Sequence, residues 1–145
     1  SLYPLFCVLL SVASTQSHQY HFVNTLLTWT EAQSVCRRDY TDLATIESTA
    51  DVDNFLNTTS GSSTVWIGLY REKLWSDGSD SLFRYWADGE PNDPSGDQCV
   101  AGSFNDSGRW SDENCSLSYP FICYKPNFSV LCSEQNLFSP CRDKL

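Results

Sequence analysis

Residues 90–99 read Glu90-Pro91-Asn92-Asp93-Pro94-Ser95-Gly96-Asp97-Gln98-Cys99, and Trp110-Ser111-Asp112 follows just before Cys115. Glu90, Asn92, Asp97 and Asp112 place several side-chain oxygens close together in sequence. Hard cations such as calcium take about six to eight oxygen ligands, which carboxylates and carboxamides supply. Pro91 fixes the local backbone between two of these side chains and can sit cis, so that both neighbours turn toward one ion. Taken alone, the same stretch also describes an acidic surface loop. The rest of the chain decides between the two.

The chain has 145 residues, the length of one domain. Five Trp, seven Tyr and eight Phe can build a dense core. The formal net charge of -9 argues against nucleic acid or an anionic membrane surface as partner, because both need a basic patch. It is compatible with a cation or with a neutral ligand such as a sugar.

The run Leu5-Phe6-Cys7-Val8-Leu9-Leu10-Ser11-Val12-Ala13 is too short to span a bilayer, which takes about 20 residues. It has the length of a signal-peptide core, and polar Ser14, Thr15, Gln16 and Ser17 follow it. Residues 1–17 therefore read as an N-terminally incomplete leader cleaved between Ala13 and Ser17, with a buried N-terminal strand as the other reading. Nothing else in the chain is apolar enough over such a length to cross a membrane. Cys7 leaves with the leader, and Cys36, Cys99, Cys115, Cys123, Cys132 and Cys141 remain. An even set behind a leader implies disulfides and a secreted, extracellular protein. No Cys-x-x-Cys pair is present, which argues against a zinc ribbon or a thioredoxin-like site. Sequons at Asn57, Asn105, Asn114 and Asn127 agree with secretion, Asn57 and Asn127 being the better acceptors.

Tyr20-His21-Phe22-Val23 reads as a first strand. Thr28-Trp29-Thr30-Glu31 is a capping box, opening a helix that buries Ala32, Val35 and Cys36 and ends near Asp39. Asp42 to Ile46 is a short extended link. Ser48-Thr49-Ala50-Asp51 caps a second helix with Val52, Phe55 and Leu56 on one face, and residues 57–63 form a loop. Val65-Trp66-Ile67-Gly68-Leu69 is a fully apolar strand in which Gly68 permits close backbone approach. Asp77-Gly78 signals a turn, and Phe83-Arg84-Tyr85-Trp86 reads as another strand. Residues 87–96, rich in Gly, Pro, Asn and Asp, are a loop. Short strands follow at Cys99-Val100-Ala101 and at Tyr119-Pro120-Phe121-Ile122-Cys123-Tyr124, with Arg109 to Asp112 between them. Two early helices followed by short strands indicate an α+β domain.

In their order and spacing, these marks make residues 20–125 resemble a C-type lectin-like domain. The carriers are the capped helix with Cys36, Trp66-Ile67-Gly68-Leu69, Glu90-Pro91-Asn92, the Cys99 to Cys115 spacing, Trp110-Ser111-Asp112 and the closing Tyr119 to Cys123 segment. The resemblance implies that fold, with two helices, short antiparallel sheets and a long binding loop. It also implies disulfides Cys36–Cys123 and Cys99–Cys115, each worth about 2–5 kcal/mol. Residues 126–145 are left as a cysteine-containing tail, in which Cys132 and Cys141 pair with each other or with another chain.

The resemblance further implies one calcium ion held by Glu90, Asn92, Asp97 and Asp112, with Pro91 as the family's cis proline. The ion's open positions would take two vicinal hydroxyls of a sugar, and Ser111 would join the sugar contacts. A carboxamide can both ligate the ion and donate N–H to a hydroxyl. Glu-Pro-Asn resembles the family's mannose-type pattern, which makes mannose, fucose, glucose and N-acetylglucosamine the candidate sugars, presented by glycans or glycoproteins that include microbial surfaces. Host defence is the corresponding family-level role. Two departures stand out. Ser111 occupies the place of the family's usual Asn, with a shorter reach. An auxiliary calcium site looks lost, because Arg71 and Gln98 stand where acidic ligands belong and only Asp93 remains. Arg71 is expected beside Asp93 in place of that second ion.

Trp66, Trp86 and Trp110 are expected in the core. An enzyme is disfavoured: His18 and His21 are the only histidines, and no Ser-His-acid or Cys-His set suggests itself. A glycosidase carboxylate pair fails too, since ligation of every carboxylate leaves no free general acid. The competing function is calcium-independent protein binding through the same loop surface.

Overall fold

Trp66 lies on β3, Thr64–Tyr70, the strand around which the core is built. Val65, Ile67 and Leu69 enter one apolar cluster and Trp66 the other, as strand alternation requires. A strand buried on both faces reads as a continuous apolar run, and residues 65–69 do so. The computed structural model describes residues 17–61 and 63–127, of which Ser17–Asn127 belong to one compact unit. The expected leader up to residue 16 and the pairing of Cys132 and Cys141 fall outside the described residues.

The elements run in chain order as β1 His18–Leu27, α1 Trp29–Asp39, β2 Asp42–Leu43, α2 Thr49–Leu56, β3, β4 Leu74–Trp75, β5 Cys99–Ser103, β6 Arg109–Glu113 and β7 Tyr119–Pro126. A single 3-10 turn at Phe104–Asp106 joins β5 to β6. The main sheet has the order β1-β7-β3-β5-β6, with β2 added to β7 and β4 to β3. Pairing is antiparallel except for β3 against β7. First and last strands are thus neighbours. This is the α+β, disulfide-braced fold expected, with both disulfides present as Cys36–Cys123 and Cys99–Cys115.

Both helix starts form for the reasons legible in the sequence. At α1 the Glu31 amide donates to Thr28 Oγ1 at 3.4 Å, and the Thr28 amide donates back to Glu31 Oε2 at 2.9 Å. Ala32 and Cys36 are fully buried, and Val35 packs at the edge of the same cluster. Trp29 adds an anchor, donating from Nε1 to the Ile67 carbonyl at 2.8 Å. At α2 the Asp51 amide donates to Ser48 Oγ at 3.1 Å, and Val52 and Phe55 face the core. Gly68 is where backbone packs on backbone: a Cβ there would lie 3.0 Å from the carbonyl oxygens of both Leu43 and Ala44.

The expected strand at residues 83–86 does not form. Only Trp86 makes an isolated bridge, to Trp110. Arg84 explains this, because its guanidinium donates to the carbonyls of Ser81, Phe83, Glu72 and Lys73. Those contacts hold the segment as an irregular strap over β4. The strap then runs beside β6 through the Trp110 amide to the Tyr85 carbonyl at 2.8 Å and the Ala87 amide to the Trp110 carbonyl at 2.9 Å. Trp66 and Trp110 are fully buried, whereas Trp86 is only half-buried.

Candidate functional site

Trp110 is the residue that places the loop. It makes edge-on contacts with Trp75, Phe83 and Trp86, with ring centroids 5.7, 6.0 and 5.9 Å away. Its backbone holds Tyr85 and Ala87, so the chain that follows is delivered to Asp112. The Glu90–Pro91 peptide bond is cis, as expected. At the other end, the Cys99–Cys115 bridge ties the start of β5 to the segment after β6.

Asp112 then organises the loop. Its Oδ1 accepts the Asn92 amide at 2.9 Å and its Oδ2 accepts the Asp93 amide at 2.8 Å. Glu90 Oε2 accepts the Asp112 amide at 3.3 Å, and Glu90 Oε1 accepts Asn92 Nδ2 at 2.7 Å. Glu90, Asn92 and Asp112 therefore converge. Burial, the adjacent Asp112 carboxylate and the charge of Glu113 push the Glu90 carboxyl above its ordinary value. Burial also pushes Asp112 up, but hydrogen bonds with Glu90 and with the Asn92 and Asp93 amides outweigh it and leave Asp112 below the ordinary carboxylate value. Two carboxylates driven apart in this way mark a concentration of negative charge that a cation relieves.

Two other expected ligands sit differently. Asp97 faces Arg71, with Nε 3.5 Å from Oδ1, and the two side chains are 65% and 76% exposed. Both residues line a cleft of about 260 Å³ with Trp29, Tyr70 and Gln98. Arg71 is thus at Asp97 and not at Asp93, which instead accepts Gln98 Nε2. The reason is length and turn geometry. Arg71 has positive φ and its amide bonds the Gln98 carbonyl, which sets it beside residue 97. Ser111 donates to Glu113 Oε1 at 2.8 Å. Glu113, whose charge is felt at Glu90, is a member of the cluster that the sequence reading missed; its place directly after Asp112 was the available signal.

The oxygen-only donor set of Glu90, Asn92 and Asp112 fits a hard dication. Asp97 would complete it once turned from Arg71, and an exposed ion pair of this kind is worth only about 0–1 kcal/mol. At the neighbouring auxiliary position, Asp93 is engaged by the Ser95 amide and Gln98.

Comparison with known proteins agrees with the fold. The profile of the family described as the lectin C-type domain matches residues 25–125. Ladderlectin of Oncorhynchus mykiss is 33% identical over 129 residues, covering 81% of this chain and 67% of that protein. The C-type mannose receptor 2 of Mus musculus is 32% identical, but this chain spans only 8% of its length. Among solved structures, human lithostathine superposes with a TM-score of 0.68 at 25% identity, covering 77% of this chain and 85% of that one. A calcium-independent type II antifreeze protein superposes with a TM-score of 0.67 at 26% identity, covering 75% and 86%. With the family profile spanning most of the chain, both bridges in place and the capped helix, apolar β3 and closing β7 in order, the chain belongs to the C-type lectin domain family.

Proposed function

We propose that this protein is an extracellular lectin that binds mannose-type sugars through one calcium ion. The observation that carries the reading is the convergence of Glu90, Asn92 and Asp112 around cis Pro91. These residues, with Asp97, would hold the ion. When bound, the ion supplies open coordination positions for two vicinal sugar hydroxyls. Glu90 and Asp112 then act as acceptors and the Asn92 carboxamide as a donor to the same hydroxyls. The side chains here bind and orient, and no general acid is left over for catalysis. Among the described residues no helix is long and apolar enough to cross a membrane. The two disulfides support an oxidising, extracellular setting. A single open site binds a monosaccharide weakly, so clustered glycans such as those of a microbial surface are the fitting partners, with avidity gains of about 10²–10⁴.

A second reading has its own observation. Asp97 is held by Arg71 and Ser111 by Glu113, an arrangement that is closed without an ion. Relatives of this fold include a calcium-independent antifreeze protein. On that reading the loop surface binds a protein directly.

A glycan array run with calcium and with chelator separates the two. The lectin reading expects mannose-type ligands to be bound with calcium and released by chelator. Binding of a protein ligand that ignores chelator, with no glycan retained, overturns it.

A further inference from the structure

We propose, on the calcium-dependent lectin reading above, that Arg71 and the cleft beside it form a subsite for an acidic substituent on the bound glycan. The substituent is a phosphate, sulfate or carboxylate, three groups with the same oxyanion chemistry. The cleft of about 260 Å³ is lined by Trp29, Tyr70, Arg71, Asp97 and Gln98. It meets the sugar site at Asp97, the one residue common to the cleft and to the expected ion ligands.

Asp97 has two claimants. Its Oδ1 lies 3.5 Å from Arg71 Nε, and its carboxylate is also the one that would complete the set of Glu90, Asn92 and Asp112. When Asp97 turns to the ion, the Arg71 guanidinium loses its counter-charge while a dication arrives one carboxylate away. An oxyanion on the glycan restores that charge. A guanidinium carries five N–H donors in a fixed fork, and an oxyanion takes two of them side by side. Ion and acidic group therefore favour each other, each easing the binding of the other by the same factor.

The cation is also held in place. Arg71 and Glu72 have positive φ, 49° and 59°, in a turn closed by the Lys73 amide on the Tyr70 carbonyl at 3.3 Å. Positive φ at both central residues is ordinarily supplied by Asn and Gly, so a long side chain is kept here against backbone strain. Strain of this kind collects where a side chain must be positioned. The Arg71 amide donates to the Gln98 carbonyl at 2.8 Å, which ties the turn to the segment that carries Asp97. Tyr70 packs on Trp29 with ring centroids 5.1 Å apart and gives the cleft an apolar wall beside the cation, a surface that suits a sugar ring. A lone guanidinium on a chain of net charge -9 selects a single acidic group and rejects a polyanion.

The test compares mannan oligosaccharides bearing one phosphate with the same oligosaccharides after its removal, by calorimetry in saturating calcium. The wild type is expected to bind the phosphorylated form roughly two- to fivefold more tightly, the difference shrinking at high salt. Arg71→Gln should erase the difference, Arg71→Lys should keep part of it, and Lys73→Gln, in the same turn, should keep all of it. Labelling of Arg71 by phenylglyoxal, read by mass spectrometry, needs no variant. Calcium should speed it by drawing Asp97 away, and the phosphorylated oligosaccharide should then protect Arg71 where the neutral one does not. The subsite is overturned, and the lectin reading left standing, if both oligosaccharides bind alike, if Arg71→Gln keeps the preference, or if labelling of Arg71 ignores calcium. Heparin, which carries sulfate without mannose, would overturn the subsite by binding as tightly as the phosphorylated oligosaccharide. If neither oligosaccharide binds in calcium, the lectin reading falls and the subsite with it.

Discussion

Arg71 Nε stands 3.5 Å from Asp97 Oδ1, so the one expected calcium ligand that does not join Glu90, Asn92 and Asp112 is the one paired with a cation. The contact is monodentate and exposed, hence weak. Its main effect is electrostatic, because a guanidinium beside the site repels a dication. Arg71→Gln is expected to raise calcium affinity roughly two- to tenfold, more at low than at high ionic strength. Calorimetric titration of calcium into both proteins checks this. An unchanged affinity would show that Arg71 does not restrain Asp97.

Asp112 carries a different load. It accepts the amides of Asn92 and Asp93 and is nearly buried, so it shapes the loop as well as offering oxygens. Asp112→Asn sets an NH2 group against one of two amide donors, a cost of about 1–3 kcal/mol. Calcium binding should be lost, with Tm falling even in chelator. Asp97→Asn should weaken calcium binding and leave Tm in chelator unchanged. Equal behaviour of the two variants in chelator would contradict the separate roles.

The strongest sequence signals were those with a local mechanism. Thr28 with Glu31, Ser48 with Asp51, the apolar run of β3 and the tight approach at Gly68 all appear where the chain alone placed them. The strand expected at residues 83–86 does not form because Arg84, inside that segment, bonds the Ser81 and Phe83 carbonyls and reaches across to the Glu72 and Lys73 carbonyls, contacts that no local pattern reveals. The site divides the same way. Glu90, Asn92 and Asp112 meet because Trp110 and the cis bond deliver them. Asp97 follows the charge of Arg71, which depends on where separate segments fold, whereas Ser111 bonds Glu113 two residues on in the same strand.

His21 gives the fold a pH dependence of definite sign. Burial, and then the nearby Lys125 charge, lower its imidazole below the ordinary value of 6.5. Its ring lies 4.9 Å from Tyr40, over which Lys125 also sits, and its Nε2 is buried without a partner. The fold therefore favours neutral His21. That contribution is fully present above the unfolded value of 6.5 and is lost as pH falls from there through the lowered folded value. The wild type should be less stable to urea near pH 5 than near pH 7.5, and His21→Phe should shrink the difference. The carboxylates held low, Glu31, Asp39, Asp93 and Asp112, act in the same direction but below their ordinary values, at more acid pH, whereas Glu90, held high, acts in the opposite direction. An identical pH difference in His21→Phe and the wild type would place its origin elsewhere.

The two disulfides should separate stability from site order. Cys36–Cys123 closes a separation of 87 residues and joins α1 to β7 in the buried core, whereas Cys99–Cys115 closes only 16. Loop-closure entropy gives about 4–5 kcal/mol for the first and about 3 kcal/mol for the second. The shorter bridge, however, holds the segment that begins at Asp97, and the Cys115 carbonyl also accepts the Trp29 amide at 3.2 Å. Replacing Cys36 and Cys123 with Ala should give the larger fall in the urea midpoint. Replacing Cys99 and Cys115 should give the smaller fall but the larger loss of calcium affinity, measured on the fraction still folded. If the Cys36–Cys123 variant lost more calcium affinity, the loop would owe its order to the core and not to its own bridge.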